Sequence, residues 1–381
     1  MATHDLPATM EALVLKSTSE PPTVETVPTP QPTVGSAVVR ILAANVISYT
    51  RDVYNGSRKA TFPTPIIPGT SAVARIAAVG PDATKLQPGD LVFLDCLVRS
   101  RDEPTDIILA ALADGNTPGS RKLMHDVYRD WAYAEYCFAP LESLTRLDEQ
   151  RLTGDPENGG LGLKIEDLAY AAPLGVPYGG LRDIDLRAGQ TVIVAPATGA
   201  FGGAAVLIAL AMGARVIAMG RNTTSLQKLK ERVPNPERVY CVPITGNVQE
   251  ECAALAKYGE IDAYFDIGPR EAYDSTHIQS AILSLRHGGR VSLMGGYTDN
   301  ISIPHRVVMR KNLRLQGKWM CERSDIADLF KMIETGVLKL GAKGGVEVVG
   351  EYPLEQWKEA WDAAAENASV GRYVVIKPCE E

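Results

Sequence analysis

Pro196-Ala197-Thr198-Gly199-Ala200-Phe201-Gly202 is the stretch of this chain whose residue types and spacing best suit chemistry. Glycines three residues apart let a backbone turn approach a ligand and then enter a helix, whose free N–H groups and dipole attract anions. A pyrophosphate fits such a turn. The stretch therefore reads as a dinucleotide-binding loop, with Pro196, Thr198, Gly199, Ala200, Phe201 and Gly202 on the ligand. Its first glycine is missing, because Pro196-Ala197 stands there, and proline has a fixed φ and no N–H. About 20 residues after Gly199, where an acid would bind the ribose hydroxyls of NAD, the chain reads Gly220-Arg221-Asn222. A guanidinium suits a 2′-phosphate, so Arg221 with Asn222 points to NADP(H) rather than NAD(H). Lys228 and Lys230 are further cations near that position.

Two more loops belong to the same ligand by position, since open parallel sheets bind at the carboxyl ends of their strands. They are Asp266-Ile267-Gly268 and Met294-Gly295-Gly296-Tyr297. Ile267, Gly268, Gly295, Gly296 and Tyr297 are expected to line it, the glycines letting backbone approach a flat ring.

No metal site is expected. The six cysteines (Cys96, Cys137, Cys241, Cys252, Cys321, Cys379) contain no CxxC pair. The five histidines (His4, His125, His277, His287, His305) form no ligand cluster. Scattered thiols fit a reducing, cytoplasmic compartment.

These residues need a scaffold. Ala12–Leu15, Ser36–Ala43, Ser71–Val79 and Leu91–Leu94 are strand-like runs between proline- and glycine-rich punctuation, which suggests an antiparallel, partly open barrel. Leu97 to Trp131 reads as a surface excursion with a short helix over Asp106–Leu112. From Ile165 the pattern changes. Helix Ile165–Leu168 opens with acids, and Thr191–Ala195 is a buried strand followed by an apolar helix, Gly202–Gly213. Strands at Arg215–Met219, Arg238–Val242, Ala263–Asp266 and Arg290–Met294 alternate with helices at Ser225–Glu231, Val248–Lys257 and Ile278–Leu285. That alternation predicts a doubly wound parallel sheet. Helices at Asp325–Glu334 and Leu354–Glu366 and a strand at Arg372–Ile376 close the chain.

The 381 residues suit two domains, with 45% hydrophobic and 22% charged residues in ordinary globular proportion. A net charge of −7 argues against nucleic acid or an anionic membrane as the partner. The first ten residues carry no basic run ahead of an apolar core, so no secretory leader is expected. The final Cys379-Glu380-Glu381 is neither a prenylation box nor a peroxisomal address.

The chain resembles a medium-chain dehydrogenase/reductase over nearly its whole length. The resemblance rests on Pro68-Gly69, Ala78-Val79-Gly80, Gly89-Asp90-Leu91-Val92, Tyr133-Ala134-Glu135-Tyr136, the loop at Gly199, Gly213-Ala214 and Gly371-Arg372-Tyr373-Val374-Val375. It implies an α/β protein with a GroES-like partly open β-barrel catalytic domain, residues 1–175 and 322–381. A Rossmann doubly wound parallel-sheet domain binding NADP(H), residues 176–321, completes it. A homodimer is implied, and Arg372 joins the cofactor residues.

Zinc members resemble one another in a Cys-His pair, a Gly-His-Glu and a third cysteine. This chain has Ile47 and Ser48, Gly69-Thr70-Ser71, and Leu174 there, and no four-cysteine lobe between Leu97 and Trp131. It therefore resembles a zinc-independent quinone oxidoreductase or enoyl reductase. Tyr49, Ser48 and Thr70 map where the family places substrate, and Tyr178 maps beside the nicotinamide. Tyr49 and Ser48 lead as proton or hydrogen-bond donors, with Tyr178 and Asp52 as further candidates. Tyr54, Thr70 and Trp131 are expected to wall the pocket. The expected activity is NADPH-dependent hydride transfer to an enone, enoyl group or quinone of a small organic molecule, with secondary metabolism one setting. Alternatives are a metal-free carbonyl or alcohol dehydrogenase, an NADPH-binding protein without turnover, and a non-redox cyclase or isomerase.

Overall fold

The computed structural model describes residues 6–379. His4 and the terminal Glu380-Glu381 lie outside the described residues. The chain divides into two units. The first holds residues 1–172, 347–368 and 372–381, and the second holds 173–346 and 369–371.

In the first unit, β1 (Thr9–Val14) pairs antiparallel with β2 (Thr23–Pro28). The long β3 (Ser36–Val46) leads to helix α1 (Thr50–Tyr54), then β4 (Ala72–Val79) and β5 (Leu91–Leu94). The excursion contains a hairpin of β6 (Leu97–Arg99) and β7 (Ile107–Leu109), then helix α2 (Pro118–Asp126). This corrects the helix expected over Asp106–Leu112. The apolar run there pairs with Leu97–Arg99, and helix starts only where Thr117 caps it, with Pro118 in its first turn. Strands β8 (Tyr136–Pro140) and β9 (Leu144–Arg146) follow, then helices α3 (Glu149–Thr153) and α4 (Ile165–Ala169). Helix α5 (Ala171–Asp183) carries the chain onward.

The second unit is built on β10 (Thr191–Ala195), α6 (Ala200–Ala211), β11 (Arg215–Gly220), α7 (Thr223–Arg232) and β12 (Val239–Pro243). It continues through α8 (Val248–Leu255), β13 (Ala263–Asp266), α9 (His277–Ser284) and β14 (Arg290–Leu293). Two elements not expected from sequence, α10 (His305–Arg310) and β15 (Arg314–Gly317), complete a six-stranded sheet. Every pairing in it is parallel, and the order β12-β11-β10-β13-β14-β15 reverses direction between β10 and β13. Such a reversal is the switch point where doubly wound sheets bind ligands.

Helix α11 (Arg323–Glu334) belongs to this second unit, whereas residues 322–381 were expected to join the first. The reason is packing within the unit. The Ile326 side chain fills the space beside Gly175, and Arg182 pairs with Asp325 at 2.6 Å and Asp328 at 2.9 Å. Strand β16 (Glu347–Tyr352), helix α12 (Trp357–Glu366) and β17 (Arg372–Ile376) return to the first unit. There β16-β17-β3-β4-β5-β9, with β8 added on β3, form a seven-stranded sheet whose only parallel pair is β16–β17. Among the described residues no helix is long and apolar enough to cross a membrane.

Candidate functional site

In the second unit the loop after β10 runs against β11, where the Ala197 N–H donates to the Met219 carbonyl at 2.7 Å. Helix α6 then follows its N-cap, Gly199, whose carbonyl accepts from the Gly203 N–H at 2.8 Å. The N–H groups of Ala200, Phe201 and Gly202 precede that first intrahelical bond and have no acceptor in the helix. The glycines have different tasks. A Cβ on Gly202 would lie 2.0 Å from the Pro196 carbonyl oxygen, so this glycine lets helix and turn touch. A Cβ on Gly199 would meet nothing within 4 Å. The open space therefore lies over Gly199, at the helix end that attracts anions.

At the end of β11, the Thr198 methyl lies 3.0 Å from where a Gly220 Cβ would be. The exposed Arg221 side chain has no hydrogen-bond or ion-pair partner among the described residues. Asn222 has a local task instead, as its side chain accepts from the Ser225 N–H at 2.9 Å and caps α7. The residues fit a dinucleotide: free N–H groups, a space that a Cβ on Gly199 would enter, and an uncommitted guanidinium at the end of the next strand.

The loops after β13 and β14 are zipped together. Gly296 donates to the Gly268 carbonyl at 3.1 Å and Thr298 to that of Arg270 at 3.1 Å, while the Ile267 N–H bonds Ala195 at 3.2 Å. The ring that Gly268 and Gly295 accommodate is a protein side chain. A Cβ on Gly268 would lie 2.1 Å from the Tyr297 hydroxyl, and one on Gly295 would lie 2.5 Å from its ring. The expectation that both glycines face a ligand ring is corrected accordingly, whereas the space over Gly296 is open. The Tyr297 hydroxyl donates to the buried Asp266 carboxylate at 2.5 Å. Burial, then the Asp266 charge, pushes this phenol far up, so it stays a donor.

In the first unit, α1 presents Tyr49 at its N-terminus, with Ser48 before it, both half-buried. Neither hydroxyl has a hydrogen-bond partner among the described residues. The Arg58 guanidinium sits 4.0 Å from the centroid of the Tyr49 ring. Burial pushes the Tyr49 phenol up and Arg58 opposes the shift. Asp52 lies 3.6 Å from Arg51. Neighbouring hydroxyls are committed. Thr70 donates to the Asn45 carbonyl, and Ser71 donates to Asp95 at 3.2 Å while accepting from the Cys96 N–H at 3.0 Å. Burial raises Asp95 to about 6 and the Cys96 thiol to about 12.

Two expected pocket walls are anchored in the core. Tyr54 is 1% exposed, bonds Ala111 and Gly69, and stacks on Trp361 at 5.4 Å. Trp131 is equally buried and backs a groove of about 500 Å³ lined by Met10, Ile67 and Phe138, with its indole N–H unpartnered. The large apolar areas of both rings are taken into the core. Tyr178, in α5, is nearly buried, and burial followed by Asp328 raises its phenol. Arg372 lies in β17 of the first unit with its Nε buried and unpartnered. Among the described residues no group of three or more His, Cys, Asp or Glu side chains could hold a metal ion. Sequence reading placed Asp266 in a ligand loop but gave it no role, and it missed Arg58, which only folding brings to Tyr49.

Two family models match the chain, the alcohol dehydrogenase GroES-like domain at residues 33–149 and the zinc-binding dehydrogenase at residues 200–335. An alcohol dehydrogenase of Geobacillus stearothermophilus is 26% identical, over 96% of this chain and 99% of its own length. An acryloyl-coenzyme A reductase of Metallosphaera sedula is 25% identical over the same shares. The solved structure of a crotonyl-CoA carboxylase/reductase superposes with a TM-score of 0.73 at 15% identity, covering 99% of this chain and 90% of that one.

Proposed function

We propose, from the premise that this chain is an oxidoreductase of the medium-chain dehydrogenase/reductase superfamily, that it uses NADPH to reduce an activated C=C bond of an enone or enoyl compound, or a quinone, without zinc. The observation that carries this reading is an open α6 N-terminus at Gly199 followed, at the end of the next strand, by the unpartnered Arg221. Within this reading the N–H groups of Ala200, Phe201 and Gly202 hold the pyrophosphate and Arg221 holds the 2′-phosphate. NADPH, when bound, supplies the hydride. The zinc-free part rests on donor chemistry. Ile47 and Leu174 offer no ligand atom, and the Thr70 and Ser71 hydroxyls are engaged elsewhere. Negative charge developing on the carbonyl oxygen is met instead by the free Tyr49 hydroxyl, with Ser48 beside it and Arg58 offsetting the charge. The acryloyl-coenzyme A reductase relatives support C=C reduction. Similarity to an alcohol dehydrogenase supports carbonyl reduction as the second reading, its metal-free character resting on the same donor chemistry.

A homodimer and a small organic substrate are part of the proposal. The dimer is supported by β15, an exposed strand at the sheet edge, and by Met309 and Trp319, which are 59% and 51% exposed. An open edge with apolar neighbours is a ready interface.

The test is titration with NADPH and NADH, followed by reduced-nicotinamide fluorescence. Arg221→Ala should weaken NADPH by about 1–3 kcal/mol and leave NADH unchanged. Equal loss for both, or no binding by the wild type, overturns the cofactor reading. Turnover of an α,β-unsaturated ketone then separates the two reactions, a saturated ketone marking C=C reduction and an allylic alcohol marking the alternative.

A further inference from the structure

Asp266, Tyr264, His277 and Tyr297 form a polar cluster at the carboxyl ends of β13 and β14, and apart from the expectation that Tyr297 lines the cofactor, the hydride transfer proposed above gives it no task. Asp266 is 1% exposed, and it accepts from the Tyr264 hydroxyl at 3.0 Å, the Tyr297 hydroxyl at 2.5 Å and the Gly295 N–H at 3.1 Å. His277 is fully buried, with Nε2 3.5 Å from the Tyr297 hydroxyl and 3.7 Å from Asp266, and Nδ1 2.7 Å from Ser275 Oγ. A buried carboxylate with three donors is held rigidly, and it holds its donors in turn. Of those donors, Tyr264 is buried, whereas Tyr297 is half-exposed.

The location gives this rigidity a use. In the order β12-β11-β10-β13-β14-β15, Arg221 follows β11 on one side of the switch point. Tyr297 follows β14 on the other. A dinucleotide lies across such a sheet with one mononucleotide on each half. Arg221 suits the adenosine phosphate, so the nicotinamide mononucleotide falls on the half that carries Tyr297. There the ring fills the space over Gly268 and Gly295 and leaves the space over Gly296 open.

We infer that Tyr297 is a positioning residue for the nicotinamide half of the cofactor, its ring fixed as a wall beside Gly296 by the buried Asp266–His277 pair. This rests on the NADPH reading. It predicts that the nicotinamide half, and not the adenosine half, senses the cluster.

The experiment compares NADPH with 2′,5′-ADP, which lacks the nicotinamide half, by calorimetric titration of the full chain. Tyr297→Ala should weaken NADPH roughly tenfold, the scale of one lost aromatic contact, with 2′,5′-ADP unchanged. Tyr297→Phe should retain part of the affinity. Asp266→Asn should weaken NADPH in the wild-type background and add nothing in the Tyr297→Ala background, as expected for a residue acting through Tyr297. Unchanged NADPH affinity in Tyr297→Ala overturns the inference, as does equal weakening of both ligands. If a variant fails to fold, Tyr297→Phe, which keeps the ring, decides alone through the same two ligands. Failure of the wild type to bind either ligand overturns the NADPH reading itself.

Discussion

Tyr49 and Asp95 show how neighbouring polar groups of one unit differ in purpose. Tyr49 has a free hydroxyl and a cation on its ring face, and burial keeps its phenol protonated, so it can donate a hydrogen bond. Asp95 is pushed up to about 6 by burial, against an ordinary 3.8, with Leu97, Ser71 and Arg99 opposing the shift. Its folded form prefers the proton, so the unfolded chain ionises first as pH rises. Stability from this group is present below about pH 4 and is lost as pH rises towards 6. Asp95→Asn keeps the acceptor oxygen and removes the charge. The variant should therefore melt higher than wild type at pH 7.5, and the gap should close near pH 4. Each unit of displacement is worth about 1.4 kcal/mol, so the gap is roughly 3 kcal/mol at most. Melting curves across pH check this, and a gap independent of pH contradicts it.

At the scale of elements, the turn from β10 into α6 separates two kinds of glycine. Gly202→Ala places a Cβ 2.0 Å from the Pro196 carbonyl oxygen, so helix and turn must part. That variant should lose both stability and nucleotide binding. Gly199→Ala meets no protein atom, and the φ of −81° suits alanine. It should melt as wild type and yet bind NADPH at least tenfold more weakly if the pyrophosphate occupies that space. Thermal melts and titration of both variants give the answer. A Gly199→Ala protein that binds normally would move the phosphate elsewhere. A second element-scale feature is the buried Glu251. It accepts from the Thr245 and Gly246 N–H groups and from the Thr276 and Ser280 hydroxyls, which ties the loop after β12 to the start of α9. Pattern reading found β10, β11, β13 and β14, because strands covered on both faces are continuously apolar. It missed β15 and β16, whose exposed and mixed patterns carry no such signal.

At the scale of the whole molecule, the exposed β15 edge bears on assembly. Size-exclusion chromatography with light scattering should give a dimer, and Trp319→Glu should shift it towards monomer. A wild-type monomer would contradict the dimer proposal. The sequence by itself determined the two-part α/β architecture, the loop at Gly199, the cation at Arg221 and the lack of donor atoms at positions 47 and 174. These follow from periodicity, local spacing and side-chain chemistry, all properties of short stretches. Only the tertiary structure decided that Tyr54 and Trp131 are core, that Asn222 is a helix cap and that Tyr297 fills the space over Gly268 and Gly295. It also decided that α11 packs with the second unit and that Arg58 covers Tyr49. Each of those depends on which distant residue arrives beside a side chain, and that is fixed by packing rather than by the pattern of any one segment.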